Sequence, residues 1–449
     1  MKQILLNPFF LLIIISIAVI YIATIYTIVS RNKKIAIFLG KIFLGVFIFT
    51  ISGASGVTVM PFKKLNPVNL YNIKTTPPTI IGQIGIYCLF LFILSPWLRY
   101  TLSNFLDSCI RIFIKEPFIF LLMIISTLSG FWSETPEITF KASIVLLITT
   151  FVAIYMGKQY TWLDIYKFIL SLNLIILLYC LAKPSTRADG AWAGILGHKN
   201  PFSFFMAQTA VIWLVNAFYY PKQRYLSVVI SLLALYGLNR GESGASKVLL
   251  IVLIGLWAYL SFIKKLSAQW AFVAVILFMV VSIILGIIII ENLETIVVDG
   301  LGKSMTLTGR TEFWPLIIDK INEKPLFGYG VVGFWQPWRA ADNPARNIIV
   351  ASSGFVPPHS HNGFLDLALE VGWVGLGLFT LSFFNNLAKA VQYLTQTKLP
   401  EGGLAIFLLV YTLMTNLTEG GLFGVTGIWF WYIVVTARLN SDNPGKIRT

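Results

Sequence analysis

Long apolar blocks, separated by short polar stretches, run along almost the whole chain. Most blocks approach about 20 residues, the length that an α-helix needs to cross a hydrocarbon core of roughly 30 Å. Strands of a membrane barrel alternate apolar and polar positions over about ten residues, and these blocks do not. We therefore predict an all-α, polytopic transmembrane protein with about 12–13 spans. The predicted spans are 8–29, 36–58, 80–97, 117–132, 138–156, 163–182, 201–220, 225–238, 246–263, 269–290, 364–384, 403–415 and 422–437.

One long polar segment, 291–363, divides this pattern into three parts. Residues 1–290 hold about ten predicted spans, and residues 364–449 hold the C-terminal spans and a polar tail. Basic residues gather in the short cytoplasmic loops of helical membrane proteins. Alternating spans bring most basic clusters to one side, which should be cytoplasmic, so the long segment is expected to lie on the opposite, external face. Thirteen spans place the N-terminus outside, and twelve spans with both ends inside are the alternative.

The composition is typical of a membrane protein, and this changes how the positive net charge is explained. The chain is 57% hydrophobic and 12% charged, whereas soluble proteins carry roughly 25% charged residues. A net charge of +15 fits cytoplasmic basic loops, so no nucleic-acid partner is predicted. Four basic residues fall on the external side instead, where they can hold an anionic group such as a diphosphate. Snorkelling towards lipid phosphates is the alternative. The four are Lys199, Arg240, Lys247 and Arg310.

The long segment contains a predicted amphipathic helix at 311–322. Phe313, Ile317 and Ile321 recur at helical spacing, and we expect this apolar stripe to rest on the membrane surface. The glycines of 328–333 follow no strand, so they indicate a tight turn and not a phosphate-binding loop. Trp335 is expected to be an interfacial anchor, as is Trp338, since tryptophan favours the membrane–water boundary.

Two of the three histidines, His359 and His361, lie where this segment meets the next span. Histidine exchanges protons readily near neutral pH, so His361 is a candidate base for a sugar hydroxyl. A loop histidine that bonds to its own helix is the alternative, and Asn362 is the predicted N-cap. Both histidines could instead bind a metal with Asp366 or Glu370, but no spacing fixes a third ligand, so no metal site is predicted.

Four short motifs resemble those of the O-antigen ligase and polysaccharide polymerase superfamily. Its closing signature is His-Asn, nine residues, Gly, two residues, Gly. The resemblance extends over 132–422 and is strongest in the C-terminal half. The motifs are Thr308-Gly309-Arg310 with Trp314, Pro325-Leu326-Phe327-Gly328-Tyr329-Gly330, His361-Asn362 with Gly372 and Gly375, and Gly197-His198-Lys199-Asn200-Pro201, the last resembling the exopolysaccharide polymerase branch.

This resemblance implies a bacterial inner-membrane glycosyltransferase that acts at the periplasmic face without metal or cofactor. It implies a glycan on undecaprenyl diphosphate as donor and a sugar hydroxyl as acceptor, on lipid A-core or on another lipid-linked glycan. By the same resemblance, His361 activates the acceptor hydroxyl and Arg310 holds the diphosphate. A second family arginine follows a serine where this chain has Ser246-Lys247, so Lys247 or Arg240 takes that role.

Two classes of function remain open at this stage. The first is a glycosyltransferase, and the exopolysaccharide-type motif favours a polymerase over a ligase, with a chain-length regulator as a further partner. The second is a transporter or flippase of lipid-linked oligosaccharide, which explains many spans and external cations equally well. The other candidate substrate-binding residues are His198, Lys199, Asn200, His359 and Asn362.

Overall fold

The computed structural model describes the backbone of 8–51, 89, 92–93, 107, 109–301, 309–349, 354, 356–397, 399–424 and 426–441, with side chains except at 8–15, 18, 50–51, 287–301, 309–312 and 338. In this part of the chain, helices form the regular structure, and one isolated β-bridge joins Thr186 to Trp192. The helices are α1 (Pro8–Arg31), α2 (Lys33–Ile51), α3 (Pro117–Leu128), α4 (Pro136–Gln159), α5 (Trp162–Ala182), α6 (Lys199–Tyr219), α7 (Arg224–Arg240), α8 (Gly244–Ile263), α9 (Ala268–Leu301), α10 (Gly309–Glu323), α11 (Gly363–Gln396), α12 (Leu404–Asn416) and α13 (Gly427–Leu439).

The all-α polytopic fold is confirmed. Six of the described helices are long and apolar enough to cross a membrane, judged by length and composition: α4, α5, α6, α8, the first part of α9, and α11. Every predicted span except one overlaps a helix. The exception, 80–97, lies almost entirely outside the described residues.

Helix α11 is longer than predicted, because it continues to Gln396 instead of ending near 384. The polar residue Asn386 lies just beyond the predicted end, and its side chain is buried. Its Nδ2 donates to Thr436 Oγ1 at 2.9 Å and to Tyr432 Oη at 3.3 Å, both on α13. A polar side chain that finds partners on a neighbouring helix can stay inside a membrane bundle.

The two ends of the helical bundle can be told apart from the chain direction. At one end, Asn200 at the start of α6 hydrogen-bonds Glu419, which follows α12. At the other end, the last residues of α6, α8 and α11 line a common cleft with the start of α12. Helices α6, α8 and α11 therefore run from the Glu419 end to the cleft end, and α12 runs back.

Helix α10 confirms the predicted amphipathic helix in the long segment, but its apolar stripe does not rest on the membrane surface as expected. It begins at Gly309, and Pro315 lies inside it. Phe313, Ile317 and Ile321 are at most 2% exposed. They pack in a cluster with residues of the following loop and of α11, so the stripe expected to face the membrane is buried in protein. Burial there removes apolar area from water as effectively as lipid contact does.

Candidate functional site

Helix α11 breaks at the first glycine of the closing motif. Gly372 has φ of 72° and the preceding Val371 is also non-helical. A side chain at Gly372 would collide with the Leu326 carbonyl, so both the dihedral and the space require glycine. Beyond the break, the Trp373 amide donates to the Pro325 carbonyl at 2.8 Å. The motif glycine therefore allows the 325–330 segment to dock against α11.

The same segment also satisfies carbonyls before the break. The Tyr329 amide donates to Leu369 O at 2.8 Å, and the Gly330 amide donates to Glu370 O at 2.9 Å. Gly328 and Gly330 have positive φ, which confirms the predicted turn. A helix break leaves carbonyls without their usual amide partners, and these turn residues supply them. The 325–330 motif and the closing motif at Gly372 are therefore packed together through backbone hydrogen bonds, next to the histidine loop.

The loop before α11 holds His361 between two fixed neighbours. Asn362 is the predicted N-cap, and its Oδ1 accepts from the amides of Phe364 at 3.0 Å and Leu365 at 3.3 Å. Ser360 Oγ donates to the Asn362 carbonyl at 2.6 Å. His361 itself has φ of 52°. A non-glycine residue in this sparsely populated region is usually held there by its surroundings, often at a functional site.

His361, His359 and Glu419 form one compact cluster. His361 Nδ1 lies 3.4 Å from Glu419 Oε1, and His359 Nε2 lies 3.7 Å from Glu419 Oε2. The two imidazole rings are 4.1 Å apart between centroids. Gly420 permits this approach, because a Cβ there would lie 2.7 Å from Asp366 Oδ2 and 3.3 Å from His359 Nδ1.

The hydrogen bonds in this cluster indicate where its protons lie. The His361 amide donates to His359 Nδ1 at 3.1 Å, so a neutral His359 carries its proton on Nε2, which faces Glu419. His361 Nδ1 is buried and has no hydrogen bond of normal geometry to the described residues. Glu419 Oε1 lies 3.4 Å from this nitrogen, so the carboxylate favours the proton on Nδ1. Nε2 of His361 is then unprotonated and can accept a proton.

Glu419 is the anionic centre of the cluster. It is 7% exposed, and Asn200 Nδ2 donates to its Oε1. Burial acts to raise the pKa of this carboxyl, but the adjacent imidazoles of His361 and His359 and the hydrogen bond from Asn200 outweigh it and lower the pKa to about 2. A carboxylate that stays ionised beside an imidazole fixes its tautomer and stabilises its protonated form.

The ligand atoms of His359, His361 and Glu419 lie within 4.8 Å of one another, a set that could hold a metal ion. The observed hydrogen bonds fit proton chemistry better. Metal binding through Nε2 of His359 would move its proton to Nδ1, where it would face the His361 amide N–H. Asp366 and Glu370, the carboxylates considered from sequence, have other partners: Asp366 Oδ1 accepts from the Ser360 amide and Glu370 Oε1 from the Val332 amide.

The motif before α6 connects this cluster to a second loop. His198 Nδ1 accepts from the Asn200 amide at 3.4 Å and caps α6. Lys199 Nζ is paired with Asp189 at 3.3 Å. Asn200 bonds to Glu419 across 219 residues of sequence. The structure therefore brings Asn200, His359 and His361 together, while His198 and Lys199 order the neighbouring chain.

The candidate cations lie at the starts or ends of helices. Arg240 ends α7 and stacks over Trp192, with its guanidinium carbon 5.2 Å from the ring centroid. Lys247 is exposed in the first turn of α8. The Arg310 side chain lies outside the described residues, but its backbone is in the first turn of α10. Trp314, one helical turn later, donates Nε1–H to the Ser360 carbonyl beside His361 at 2.9 Å.

The Trp335 side chain, expected to be an interfacial anchor, makes contacts with protein. Its Nε1–H donates to Asp366 Oδ1 at 3.0 Å and its ring packs on Phe334, so this side chain braces the loop against α11. The Trp338 side chain lies outside the described residues. Sequence reasoning also missed Glu419. The signal that could have identified it is its position as an acidic residue in the short loop between two apolar helices.

The fold is that of a polytopic helical membrane protein, and part of the chain is similar to the O-antigen ligase family. A family model described as O-antigen ligase matches residues 226–380, which include Arg240, Lys247, Arg310 and His361. The chain is also 26% identical over 293 residues to the exopolysaccharide production protein ExoQ of Rhizobium meliloti (strain 1021). That match covers 61% of this chain and 66% of the relative, slightly less than two thirds of its length. The predicted resemblance to the O-antigen ligase and polysaccharide polymerase superfamily is confirmed.

Proposed function

We propose that this chain is a membrane glycosyltransferase that transfers or polymerises glycans from undecaprenyl-diphosphate-linked donors at the periplasmic face of the inner membrane. The contact of His361 with the buried Glu419 carboxylate carries the proposal. An imidazole with an anionic partner on one nitrogen can accept a hydroxyl proton on the other. The acceptor is a sugar hydroxyl on lipid A-core or on another lipid-linked glycan.

The reaction proposed for this site is a single substitution at the anomeric carbon of the donor. His361 Nε2 takes the proton from the acceptor hydroxyl as the new carbon–oxygen bond forms. The bond from the anomeric carbon to the diphosphate breaks, and undecaprenyl diphosphate leaves with the electron pair. Arg310, with Lys247 and Arg240, would hold this anionic leaving group, because fixed cations stabilise the charge it gains.

Several contacts support a common location for these groups. Trp314 ties α10 to the Ser360 carbonyl, and Arg310 is four residues earlier, so both positions fall on one face of the helix. The α7–α8 turn approaches α6 closely, since a Cβ at Gly241 would overlap Ser203 Oγ. Arg240 therefore adjoins the helix whose first turn carries Asn200.

The likeness to a protein named for exopolysaccharide production favours polymerisation over ligation to lipid A-core. Asn200 belongs to the motif that first suggested this branch, and it bonds directly to Glu419. We propose that Asn200 fixes the carboxylate, that His359 and Asn362 hold the His361 loop, and that the acceptor is a growing lipid-linked glycan. A chain-length regulator is then a suitable partner.

Reconstituted protein tests the proposed function directly. With a lipid-linked donor, wild type is expected to release undecaprenyl diphosphate and form longer glycans. His361→Ala and Arg310→Ala are each expected to abolish both products while the protein still inserts in the membrane. Translocation of an unconsumed donor would support the flippase alternative. Normal product from either variant would overturn the role of that residue.

A further inference from the structure

A cleft opens at the end of the bundle opposite Glu419. The final turns of α6, α8 and α11 form its walls together with the start of α12. Apolar side chains such as Ile212, Leu260 and Phe407 line it. The proposed topology places this end in the cytoplasmic leaflet. An apolar cleft with a few polar groups is typical of a ligand site.

The polar groups of this cleft include a buried carboxylate. Glu401 is 8% exposed, lines the cleft, and forms no ion pair among the described residues. A buried carboxylate is costly unless a cation or hydrogen-bond donors compensate it. Its position on the cleft wall means that a ligand inside the cleft could supply that cation.

A cation and two hydrogen-bond donors also line the same cleft. Lys264 is exposed at the end of α8 and has no ion pair within the described chain. Trp257 Nε1 is buried and has no hydrogen-bond acceptor among those residues. Ser261, one helical turn after Trp257, also faces the cleft. An ammonium, an indole N–H and a hydroxyl are suitable partners for a phosphate.

We propose that this cleft binds a phospholipid whose headgroup carries a primary ammonium, as in phosphatidylethanolamine. Glu401 receives the ammonium, while Lys264 and Trp257 contact the phosphate. One acyl chain lies along the apolar wall. A choline headgroup has no ammonium N–H to donate, and a glycerol headgroup has no cation, so neither matches both polar groups of the cleft.

Native mass spectrometry of the full-length, delipidated protein tests this proposal. The probe is an equimolar mixture of phosphatidylethanolamine, phosphatidylcholine and phosphatidylglycerol with identical acyl chains. Wild type is expected to retain the ethanolamine lipid over the choline lipid by roughly tenfold, the effect of one charge-assisted hydrogen bond. Glu401→Gln should remove that preference, and Lys264→Gln should weaken retention of all three lipids, because each carries the phosphate that Lys264 contacts.

Lys265→Gln is the matched control, because Lys265 is the adjacent cation and does not line the cleft. Ser261→Trp places a large side chain in the cleft and should lower retention of all three lipids. Equal retention of ethanolamine and choline lipids by wild type, preference for the glycerol lipid, or an unchanged preference in folded Glu401→Gln would overturn the proposal. The assay contains no glycan, so its outcome is independent of the proposed transfer reaction.

Discussion

Replacing Glu419 with glutamine removes a charge and keeps the shape of the side chain. The carboxylate is 7% exposed and accepts a hydrogen bond from Asn200. It also lies 3.4 Å from His361 Nδ1 and 3.7 Å from His359 Nε2. Glutamine can still accept one of these bonds, so the variant tests the charge more than the packing.

The size of the effect follows from the pKa of Glu419. That pKa is about 2 in the folded protein against an ordinary 4.5, a difference worth about 3 kcal/mol at neutral pH. Because the folded-state pKa is the lower one, the stabilisation is fully present above pH 4.5 and is lost as the pH falls towards 2. Glu419→Gln should therefore cost most stability near neutral pH and little in acid.

Thermal unfolding in detergent, followed by tryptophan fluorescence, measures this difference. The Tm of Glu419→Gln is expected to be below that of wild type at about pH 7, and this difference should narrow strongly by about pH 3. The matched control is Asp319→Asn, since Asp319 is an exposed acid on α10 and its loss should change Tm little at either pH. An equal gap at both pH values, or no gap at neutral pH, would refute the reasoning.

The same variant separates stability from catalysis. If Glu419 orients His361 as proposed, kcat in the donor-consumption assay should fall by roughly 10²–10⁴-fold, the contribution of an oriented general base. Folded Glu419→Gln with wild-type kcat would contradict the proposed role of the carboxylate in the reaction.

Three further predictions follow from the site and its support. Gly372→Ala should destabilise the protein by at least roughly 1–3 kcal/mol in thermal unfolding, because φ is 72° there and a Cβ would collide with the Leu326 carbonyl. Gly377→Ala, where a Cβ meets nothing within 4 Å, should instead stabilise it by up to about 1 kcal/mol. Equal effects of the two substitutions would contradict this explanation of the helix break. Asn200→Asp should lower kcat more than Asn200→Ala, because it sets a second carboxylate against Glu419. Lys247→Ala should raise KM for the diphosphate donor, and Lys247→Arg should restore it; an unchanged KM in the alanine variant would exclude the contact.

Hydropathy predicted most of the helices because each span must bury its own backbone polar groups in lipid. It failed where tertiary contacts replaced lipid. The end of α11 was missed because Asn386 has partners on α13, and the surroundings of α10 were missed because Phe313 packs into the protein. A pattern of apolar positions shows which face is buried, but it does not distinguish lipid from protein as the neighbour.

The candidate site could be predicted only where its contacts join residues that are close together in the sequence. Asn362 could be recognised as a cap because its partners are the next amides along the chain. The partner of His361 could not be found in this way. Glu419 belongs to a different loop, and the Asn200 bond to it spans 219 residues, so neither contact leaves a spacing pattern in the sequence.

The position of Glu419 links assembly of the bundle to the chemistry proposed for it. One buried carboxylate contacts Asn200 on α6 and the histidines before α11, while itself following α12. Its burial is favourable only when these partners are in place, since an uncompensated buried charge is costly. Misplacement of any one segment would leave the charge without a partner and also release the imidazole. The orientation of His361 therefore depends on the packing of several helix ends, and this explains how a base on a short loop can be held in a strained conformation.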